Sequence, residues 1–288
     1  RQRQDVYKRQ LTQLELPPDC FLFTADAVSM YTNIPTGEAL RRISAYLRRH
    51  EKRFNLHADA LIQALDLIMK NNVFTFGDCT FRQRTGTAMG VPPAPDWANI
   101  YYAIHEMTFL IGEEEDPYRF NRPNALLFYK RFIDDVIGIY RNEDAADEAS
   151  FNQFKTKMNE CPGLEWEFSE LSRQVNYMDL TLTLHSESGQ ITTTLYEKPM
   201  NLHLYIPPHS AHPPGLLTGI VFGSLFRIHT LCSDADDRAN KTQEFYHRLK
   251  ARGYKKDTLL PLFHKAITKA TAYDNPQQAA PSLSLIHI

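Results

Sequence analysis

Two adjacent carboxylates interrupt an otherwise apolar stretch of the sequence. In "YKRFIDDVIGIY", residues 129–140, Asp134 and Asp135 stand between two half-strands rich in Ile, Val and aromatic residues. Burying neighbouring carboxylates costs free energy unless a cation or a basic group neutralises them. Neighbouring side chains of a strand point to opposite faces, so both acids can approach one point only at a turn. The pattern therefore predicts a β-hairpin with the two acids at its tip.

A third carboxylate, Asp26, ends the apolar run "CFLFTAD" in a similar way. Carboxylate oxygens are the ligands that hard divalent cations prefer. Acids that hold two such cations about 3.5–4 Å apart can support in-line attack on a phosphorus centre. The residue types leave two alternatives open: a site for divalent cations, or a solvated turn of the kind at which Asp is common.

The spacing of apolar residues predicts the elements that must position these acids. Strands are predicted in "CFLFTAD", on both sides of the Asp pair, and in "LEWEFSEL", "QVNYMDLTLTLHS" and "QITTTLYEK". A hairpin is predicted in "NVFTFGDCTFRQRTG", with its turn at Gly77-Asp78. Helices are predicted at about 37–71, after a cap at Asp96, at about 144–160, and through most of 213–270. This order is typical of a mixed α+β fold with an antiparallel sheet.

The composition predicts a folded chain. It has 288 residues, 43% of them hydrophobic, enough for one large domain or two modest ones. No run reaches the roughly 18 apolar residues of a membrane span, so no membrane partner is expected. The four cysteines are far apart and match no metal-binding spacing, which predicts free thiols. Residues 238–269 carry nine Lys or Arg against two acids, which suits either a phosphate backbone or a solvated helix face.

Several ordered stretches resemble the motifs of reverse transcriptases, most closely those of Penelope-like retroelements. "RFIDDVIGIY" resembles the Tyr-x-Asp-Asp hairpin of that family, and "FTADAVSMYTNIP" resembles its first catalytic strand. "GTAMGVPPAPDWANIYY" resembles the Gly-Pro segment beside the templating base. "VNYMDLTLTL" and "TLYEKPMNLHLYIPPHSAHP" resemble the segments after the hairpin, so the resemblance covers about residues 19–235. It implies an α+β polymerase palm with an antiparallel sheet and flanking helices, followed by a helical thumb.

The resemblance assigns roles to the acids. Asp26 and Asp134 would bind two Mg²⁺ ions, for which Mn²⁺ can substitute, and the backbone carbonyl of Ala27 would be a further ligand. Asp135 would lie beside them in support. "GIY" at the end of the hairpin also matches half of a nuclease motif, but no partner motif follows it.

The resemblance also assigns the nucleotide site. Tyr31 falls where the family places an aromatic ring that collides with a ribose 2′-hydroxyl and so selects deoxynucleotides. Met89 and Gly90 would contact the nucleotide through shape, with Gly90 allowing close approach of the backbone. Taken without the resemblance, Tyr31 is a core residue and the Pro-rich run after Gly90 is a rigid turn before a helix.

Two further sets of residues would contact the primer and template. Tyr177, Met178 and Asp179 resemble a primer-gripping turn, although "NYMDLTL" is also a good ordinary strand. The thumb candidates are basic residues whose alternative is a solvated surface: Lys250, Arg252, Lys255 and Lys256.

The resemblance implies a palm at 11–212, with a helical insertion at about 37–71, and a thumb at 213–275. Residues 1–10 resemble translated adapter sequence and are predicted to be a non-native flank; residues 276–288 are predicted to be a disordered or non-native tail. The fingers that precede the first catalytic strand in this family are largely missing here.

The implied activity is that of an RNA-directed DNA polymerase, a nucleotidyltransferase that adds deoxynucleotides to a primer 3′-hydroxyl. Its partners would be an RNA template, a DNA primer and dNTPs, and its location intracellular, in the nucleus at the site of integration. Two alternatives stay open: a telomerase-like relative, and a non-catalytic nucleic-acid-binding remnant of a retroelement.

Overall fold

A computed structural model describes residues 2–111, 119–122 and 124–274 of the chain. Their contacts divide the chain into two compact units. The first is Asp19–Leu171, and the second combines the residues before Asp19 with those after Leu171. The palm and thumb boundaries implied by the sequence stay predictions, and the tail at 276–288 lies outside the described residues.

The described residues form nine helices, numbered here in chain order. They are α1 Gln2–Thr12, α2 Met30–Asn33, α3 Thr36–Phe54, α4 Ala58–Lys70, α5 Ala94–Leu110, α6 Ala145–Asn159, α7 Leu216–Leu231, α8 Ala235–Ala251 and α9 Lys256–Asp274.

The same residues form nine strands in three antiparallel sheets. They are β1 Cys20–Ala27, β2 Val73–Phe76, β3 Cys79–Arg82, β4 Leu126–Phe132, β5 Asp135–Arg141, β6 Trp166–Phe168, β7 Gln174–Tyr177, β8 Leu180–Leu184 and β9 Ile191–Leu195. The sheets have the orders β4-β5-β1-β6, β2-β3 and β7-β8-β9. The predicted α+β architecture with antiparallel sheets is confirmed.

The four-stranded sheet forms the centre of the first unit. The sequences of its inner strands β1 and β5 are mostly apolar because most of their side chains are buried. Aromatic residues of α5 and α6 pack on this sheet, among them Trp97, Tyr101 and Phe154. Fully burying one such side chain contributes about 1.5–3 kcal/mol. The sheet is therefore a rigid base for whatever its strand ends carry.

Most of the sequence-based predictions for single elements are confirmed, but two differ from the structure. The single strand predicted in "QVNYMDLTLTLHS" is two strands, β7 and β8, paired as a hairpin. The hairpin β2–β3 turns at Gly77-Asp78, and the helices α3, α4 and α6 lie where the apolar spacing predicts. The predicted cap at Asp96 is incorrect, because α5 already begins at Ala94 after Pro93, with no side-chain cap. The proline ring of Pro95 fixes φ at a helical value, so the helix can start in the Pro-rich run itself.

The second unit has its own core. Apolar residues of α7, α8 and α9 pack together, among them Leu225, Phe245 and Phe263. The helix α1, whose sequence was predicted to be a non-native flank, lies in this unit, where the Tyr7 ring packs edge-on to Tyr177 at 5.7 Å between ring centroids. Among the described residues, no helix is long and apolar enough to cross a bilayer. All four cysteines are free thiols.

Candidate active site

The Asp pair lies at the tip of the β4–β5 hairpin, as the sequence predicts. Phe132 pairs with Asp135, so the loop consists of Ile133 and Asp134 alone. Ile133 has a φ of 55°, a left-handed conformation that β-branched residues rarely adopt. Such strain costs about 1–3 kcal/mol and persists only where the surrounding structure fixes it. The tip is therefore held in one geometry.

The register of the sheet brings Asp26 to this tip. Asp26 stands opposite Asp135 on the β5 side and opposite Glu167 on the β6 side. Directly opposed residues of antiparallel strands project to the same face, so these carboxylates share one surface of the sheet. The amide of Ala27 donates to the carbonyl of Asp134 at 3.0 Å and ties the end of β1 to the hairpin tip.

The negative charges of these acids repel one another in this arrangement. The pKa of Asp26 is raised, first by partial burial and then by the negative charges of Asp134 and Glu167; a hydrogen bond from the Ala27 amide works in the other direction. A cation placed among these carboxylates would be stabilised by the same charges that now repel one another.

A magnesium site of the open kind needs fewer protein ligands than a closed metal cluster. Within the described part of the chain, no group of three His, Cys, Asp or Glu side chains is arranged to hold a metal ion. Mg²⁺ is commonly held by one or two protein carboxylates, with water and substrate phosphates as its other ligands. Asp26 and Asp134 can supply two carboxylates, and the remaining ligands would come from substrate, water and backbone carbonyls.

Tyr31 is partly buried against the core of the first unit and lies within electrostatic range of Asp134. Its pKa is raised by burial and then by the charge of Asp134, so the phenol is neutral at physiological pH. The amide of Thr87 donates to the Tyr31 carbonyl at 2.5 Å, which anchors the short helix α2. Gly86, with a φ of +80°, lies so close that a β-carbon there would be 2.6 Å from the carbonyl oxygen of Thr32.

A second glycine lies close to the same segment. At Gly163, with a φ of +74°, a β-carbon would overlap the carbonyl oxygen of Asn33 and the ring of Pro35. Two glycine-containing loops therefore pack closely on the segment "YTNIP", and this packing restricts where the Tyr31 backbone can lie.

Met89 and Gly90 form part of an exposed turn before α5. The Met89 side chain is 77% exposed, so it is free to contact a ligand. Gly90 has a φ of +91°, and nothing lies within 4 Å of the position of a β-carbon. The backbone conformation therefore favours glycine, and the space in front of Gly90 is open.

The predicted primer-gripping turn is a two-residue loop, Met178-Asp179, between β7 and β8 in the second unit. Met178 has a φ of 52°, the counterpart of Ile133 in the other hairpin. Asp179 forms an ion pair with Arg227 at 2.5 Å. Tyr177 is only 2% exposed, so its side chain is part of the core of its unit.

The predicted thumb residues divide into two groups. Lys250, Lys255 and Lys256 are exposed at the junction of α8 and α9. Arg252 is half-buried, and its Nε donates to the carbonyl of Tyr205 at 2.6 Å, which gives it a structural role. Their contacts with nucleic acid stay predictions.

Sequence reasoning missed Glu167, Gly86 and Gly163. The alternation in "LEWEFSEL" does indicate that Glu167 projects from the polar face of a strand, but only the pairing of β6 with β1 places it opposite Asp26. The two glycines carry no local signal, because their contacts are with Thr32, Asn33 and Pro35, far away in the sequence.

Comparison with solved structures identifies the class of fold. The telomerase of Candida albicans, solved in complex with the TWJ fragment of telomeric RNA, matches with a TM-score of 0.60 and 9% sequence identity, over 98% of this chain and 49% of that one. The RNA-dependent RNA polymerase 3Dpol of Sicinivirus matches with a TM-score of 0.51 and 11% identity, over 92% of this chain and 54% of that one. This chain therefore has a polymerase-type α+β fold of the palm and thumb kind, and the predicted fold class is confirmed.

The chain spans about half the length of each of these two proteins. The sequence model of the animal helix-turn-helix domain matches residues 204–261, which include α7, α8 and the beginning of α9. No curated protein sequence matches the chain.

Proposed function

We propose that this chain is the catalytic core of an RNA-directed DNA polymerase of the Penelope-like type. The observation that carries the proposal is the position of Asp26, directly across the sheet from an Asp-Asp hairpin tip, in a polymerase-type fold. The sequence motifs that resemble this family, in consistent order along the chain, support the narrower, Penelope-like assignment.

In this proposal the residues of the chain have distinct roles. Asp26 and Asp134 hold two Mg²⁺ ions, with the Ala27 carbonyl as a further ligand and Asp135 in support. Bound ions of this kind lower the pKa of an attacking hydroxyl and stabilise charge on the phosphorane oxygens. Tyr31, within electrostatic range of Asp134, excludes nucleotides that carry a 2′-hydroxyl.

Features of the second unit support nucleic-acid partners. Exposed lysines at the α8–α9 junction suit a phosphate backbone, because neutralising phosphates releases counterions. The connection of three residues between α7 and α8 fits the helix-turn-helix geometry, in which two helices are joined by a turn of roughly three or four residues. The telomerase with a similar fold was solved with RNA. We therefore propose an RNA template, a DNA primer and dNTPs as partners, and action inside the cell, in the nucleus.

A telomerase-like activity is the second candidate, and the similarity to the Candida albicans telomerase fold favours it. The two candidates differ in the template that they accept. We expect a telomerase-like enzyme to copy a short template repeatedly and a retroelement polymerase to extend along a long RNA to its end. Product lengths on a long heteropolymeric RNA would separate them.

The decisive experiment is primer extension on an RNA template with dNTPs and Mg²⁺. It compares this chain with the same chain preceded by the fingers of a reverse transcriptase, because the resemblance implies that fingers residues hold the triphosphate. We expect weak extension by the first and robust extension by the second. The double substitution Asp134→Ala/Asp135→Ala should abolish both.

The matched control is Asp78→Ala, which removes an exposed acid from the tip of another hairpin. It should leave extension unchanged. If the fingers-restored chain binds template–primer but does not extend it, the non-catalytic remnant becomes the better description. Robust extension that survives the double substitution would remove the acids from the proposed site.

A further inference from the structure

The guanidinium group of Arg131 lies beside the hairpin tip with only 7% of its side chain exposed. Its Nε and Nη2 donate to the two carboxylate oxygens of Glu106 on α5, at 2.8 and 2.7 Å. Glu106 is itself only 13% exposed. The pair is therefore bidentate and almost completely withdrawn from water.

The remaining donors of Arg131 reach two other residues. Nη1 donates to the side-chain oxygen of Asn99 at 3.0 Å and to the carbonyl of Ile133 at 2.9 Å. Nη2 also donates to the backbone carbonyl of Asn99 at 3.3 Å. All five N–H groups of the guanidinium thus have acceptors, and the face of the Tyr102 ring lies 4.9 Å away.

The hydrogen bond from Arg131 is accepted by Ile133, the residue with the strained left-handed backbone conformation. The Ile133 carbonyl belongs to the peptide group that joins Ile133 to Asp134, so Arg131 fixes the plane of that peptide. On its other side Asp134 is fixed by the Ala27 amide, which donates to the Asp134 carbonyl at 3.0 Å. Asp134 therefore lies between two hydrogen-bonded peptide groups, one tied to α5 and one tied to β1.

A buried ion pair is a weak source of stability, because desolvation of both charges offsets their attraction. Two apolar side chains of similar volume would stabilise the core at least as much as the ion pair does. What an apolar pair cannot do is donate to the Ile133 carbonyl. The arrangement therefore favours a role in geometry over a role in stability.

We infer that Arg131 is a positioning residue that sets the orientation of Asp134 through the Ile133 carbonyl, with Glu106 and Asn99 as its anchors on α5. The cation-binding part of this inference rests on the proposed polymerase function. The geometric part does not, and it can be measured separately.

The test uses Arg131→Lys, which keeps the charge but loses the planar fork that reaches all three partners. The matched control is Tyr129→Phe, which removes the hydroxyl that also donates to Glu106 and leaves the Arg131 contacts intact. Asn99→Ala is a milder second variant, since it removes a single anchor and preserves the ion pair.

The first readout is hydrogen exchange of two backbone amides. The Ala27 amide reports on the hairpin tip, and the Arg141 amide, which donates to the Ala125 carbonyl at 2.8 Å, reports on the far end of the same hairpin. We expect Arg131→Lys to speed exchange at Ala27 at least ten-fold and Asn99→Ala a few-fold, with Arg141 unchanged. Tyr129→Phe should change neither amide. Equal acceleration at both amides, or the same effect in Tyr129→Phe, would reduce Arg131 to a stability role and overturn the inference.

The second readout is Mn²⁺ binding, followed by the electron paramagnetic resonance signal of the free ion. Arg131→Lys should weaken binding about ten-fold, and Tyr129→Phe should not. If the unaltered chain binds no Mn²⁺, or binds it equally well as Asp26→Asn, the proposed function fails at this site. A change at Ala27 alone would in that case still support the geometric role. In the contrary outcome, Arg131→Lys binds Mn²⁺ as tightly as the unaltered chain while Asp26→Asn loses binding. That result would overturn the inference that Arg131 positions Asp134 for cation binding.

Discussion

The ring of Phe23 in β1 lies over the α-carbon of Gly138 in β5, where a β-carbon would overlap it. Phe23 is fully buried and packs edge-on against Phe151 of α6, with 5.1 Å between ring centroids. The glycine of the "GIY" stretch is therefore explained by packing inside the sheet. No nuclease motif is needed to account for it.

Gly138→Ala should destabilise the first unit. The new methyl group has no room beside a buried ring, and overpacking of this kind costs about 2 kcal/mol. Urea denaturation followed by tryptophan fluorescence measures the change. Gly37→Ala is the control, because nothing lies within 4 Å of a β-carbon at that helical position, and it should be neutral or slightly stabilising. Equal effects of the two substitutions would contradict the close approach of Phe23.

The sequence could predict the hairpin tip because its signals are local. Asp134 and Asp135 interrupt an apolar run, and the alternation on each side fixes where the strands end. The apolar run that ends at Asp26, one residue before the end of β1, is a local signal of the same kind. What these patterns could not provide is the register that puts Asp26 opposite Asp135 and Glu167, because strand pairing is a long-range property.

The contacts of Arg131 show the same limit. A strand that reads Tyr-Lys-Arg-Phe before the acids predicts an outward-facing basic residue, since isolated arginines are rarely buried. Its burial depends on the ion pair with Glu106 of α5. Nothing in the sequence around Glu106 indicates that Arg131 is its partner. Polar networks between distant elements are therefore the part of this site that only the fold reveals.

Tyr31→Ala should admit ribonucleotides in the proposed polymerase. The phenol is partly buried and feels the charge of Asp134, so removing the ring is expected to leave space for a 2′-hydroxyl near the acids. We expect kcat/KM for ribonucleotides to rise roughly ten-fold relative to deoxynucleotides, a typical effect of reshaping a pocket. The measurement is steady-state extension by the fingers-restored chain, with Tyr46→Ala of α3 as the control. An unchanged preference would remove Tyr31 from the nucleotide site.

Gly86→Ala should displace the backbone of Tyr31 while leaving its side chain unaltered. A β-carbon at Gly86 would be 2.6–2.7 Å from backbone atoms of Tyr31 and Thr32, and φ there is +80°, so the loop must shift. We expect a loss of stability of about 1–3 kcal/mol and, in the extension assay, a loss of discrimination between sugars. Gly77→Ala, in the turn of the β2–β3 hairpin, is the matched control, because φ there is also positive but nothing lies within 4 Å of a β-carbon. If both variants discriminate equally well, the Gly86 contact does not position Tyr31.

His105 should make the stability of the first unit depend on pH. The ring is 5% exposed, and its Nε2–H donates to the Lys157 carbonyl at 2.7 Å; burial lowers its pKa. The unfolded state, with a histidine pKa of about 6.5, then binds more protons than the folded state. The contribution of His105 is therefore full above about pH 6.5 and is lost as the pH falls through the lowered pKa.

Urea denaturation at pH 7 and pH 5 checks this effect. His105→Gln keeps a hydrogen-bond donor but cannot titrate, so the loss of stability between the two pH values should be smaller than in the unaltered chain. His57→Gln, at an exposed position, should keep the full pH dependence. A dependence that is unchanged by His105→Gln would assign it to other groups.

One face of the hairpin β2–β3 should govern the tendency of the chain to self-associate. Phe74, Phe76 and Phe81 project from the same face, with exposures of 54%, 80% and 45%, and Phe74 stacks on Phe81 at 5.6 Å. Contiguous exposed apolar surface on a two-stranded ribbon is a site at which chains associate. Phe76→Thr should therefore raise the concentration at which light scattering appears and change the free energy of unfolding by less than about 0.5 kcal/mol. Thr75→Ser, on the opposite face, should leave scattering unchanged; a large loss of stability in Phe76→Thr would instead mean that the ring is packed.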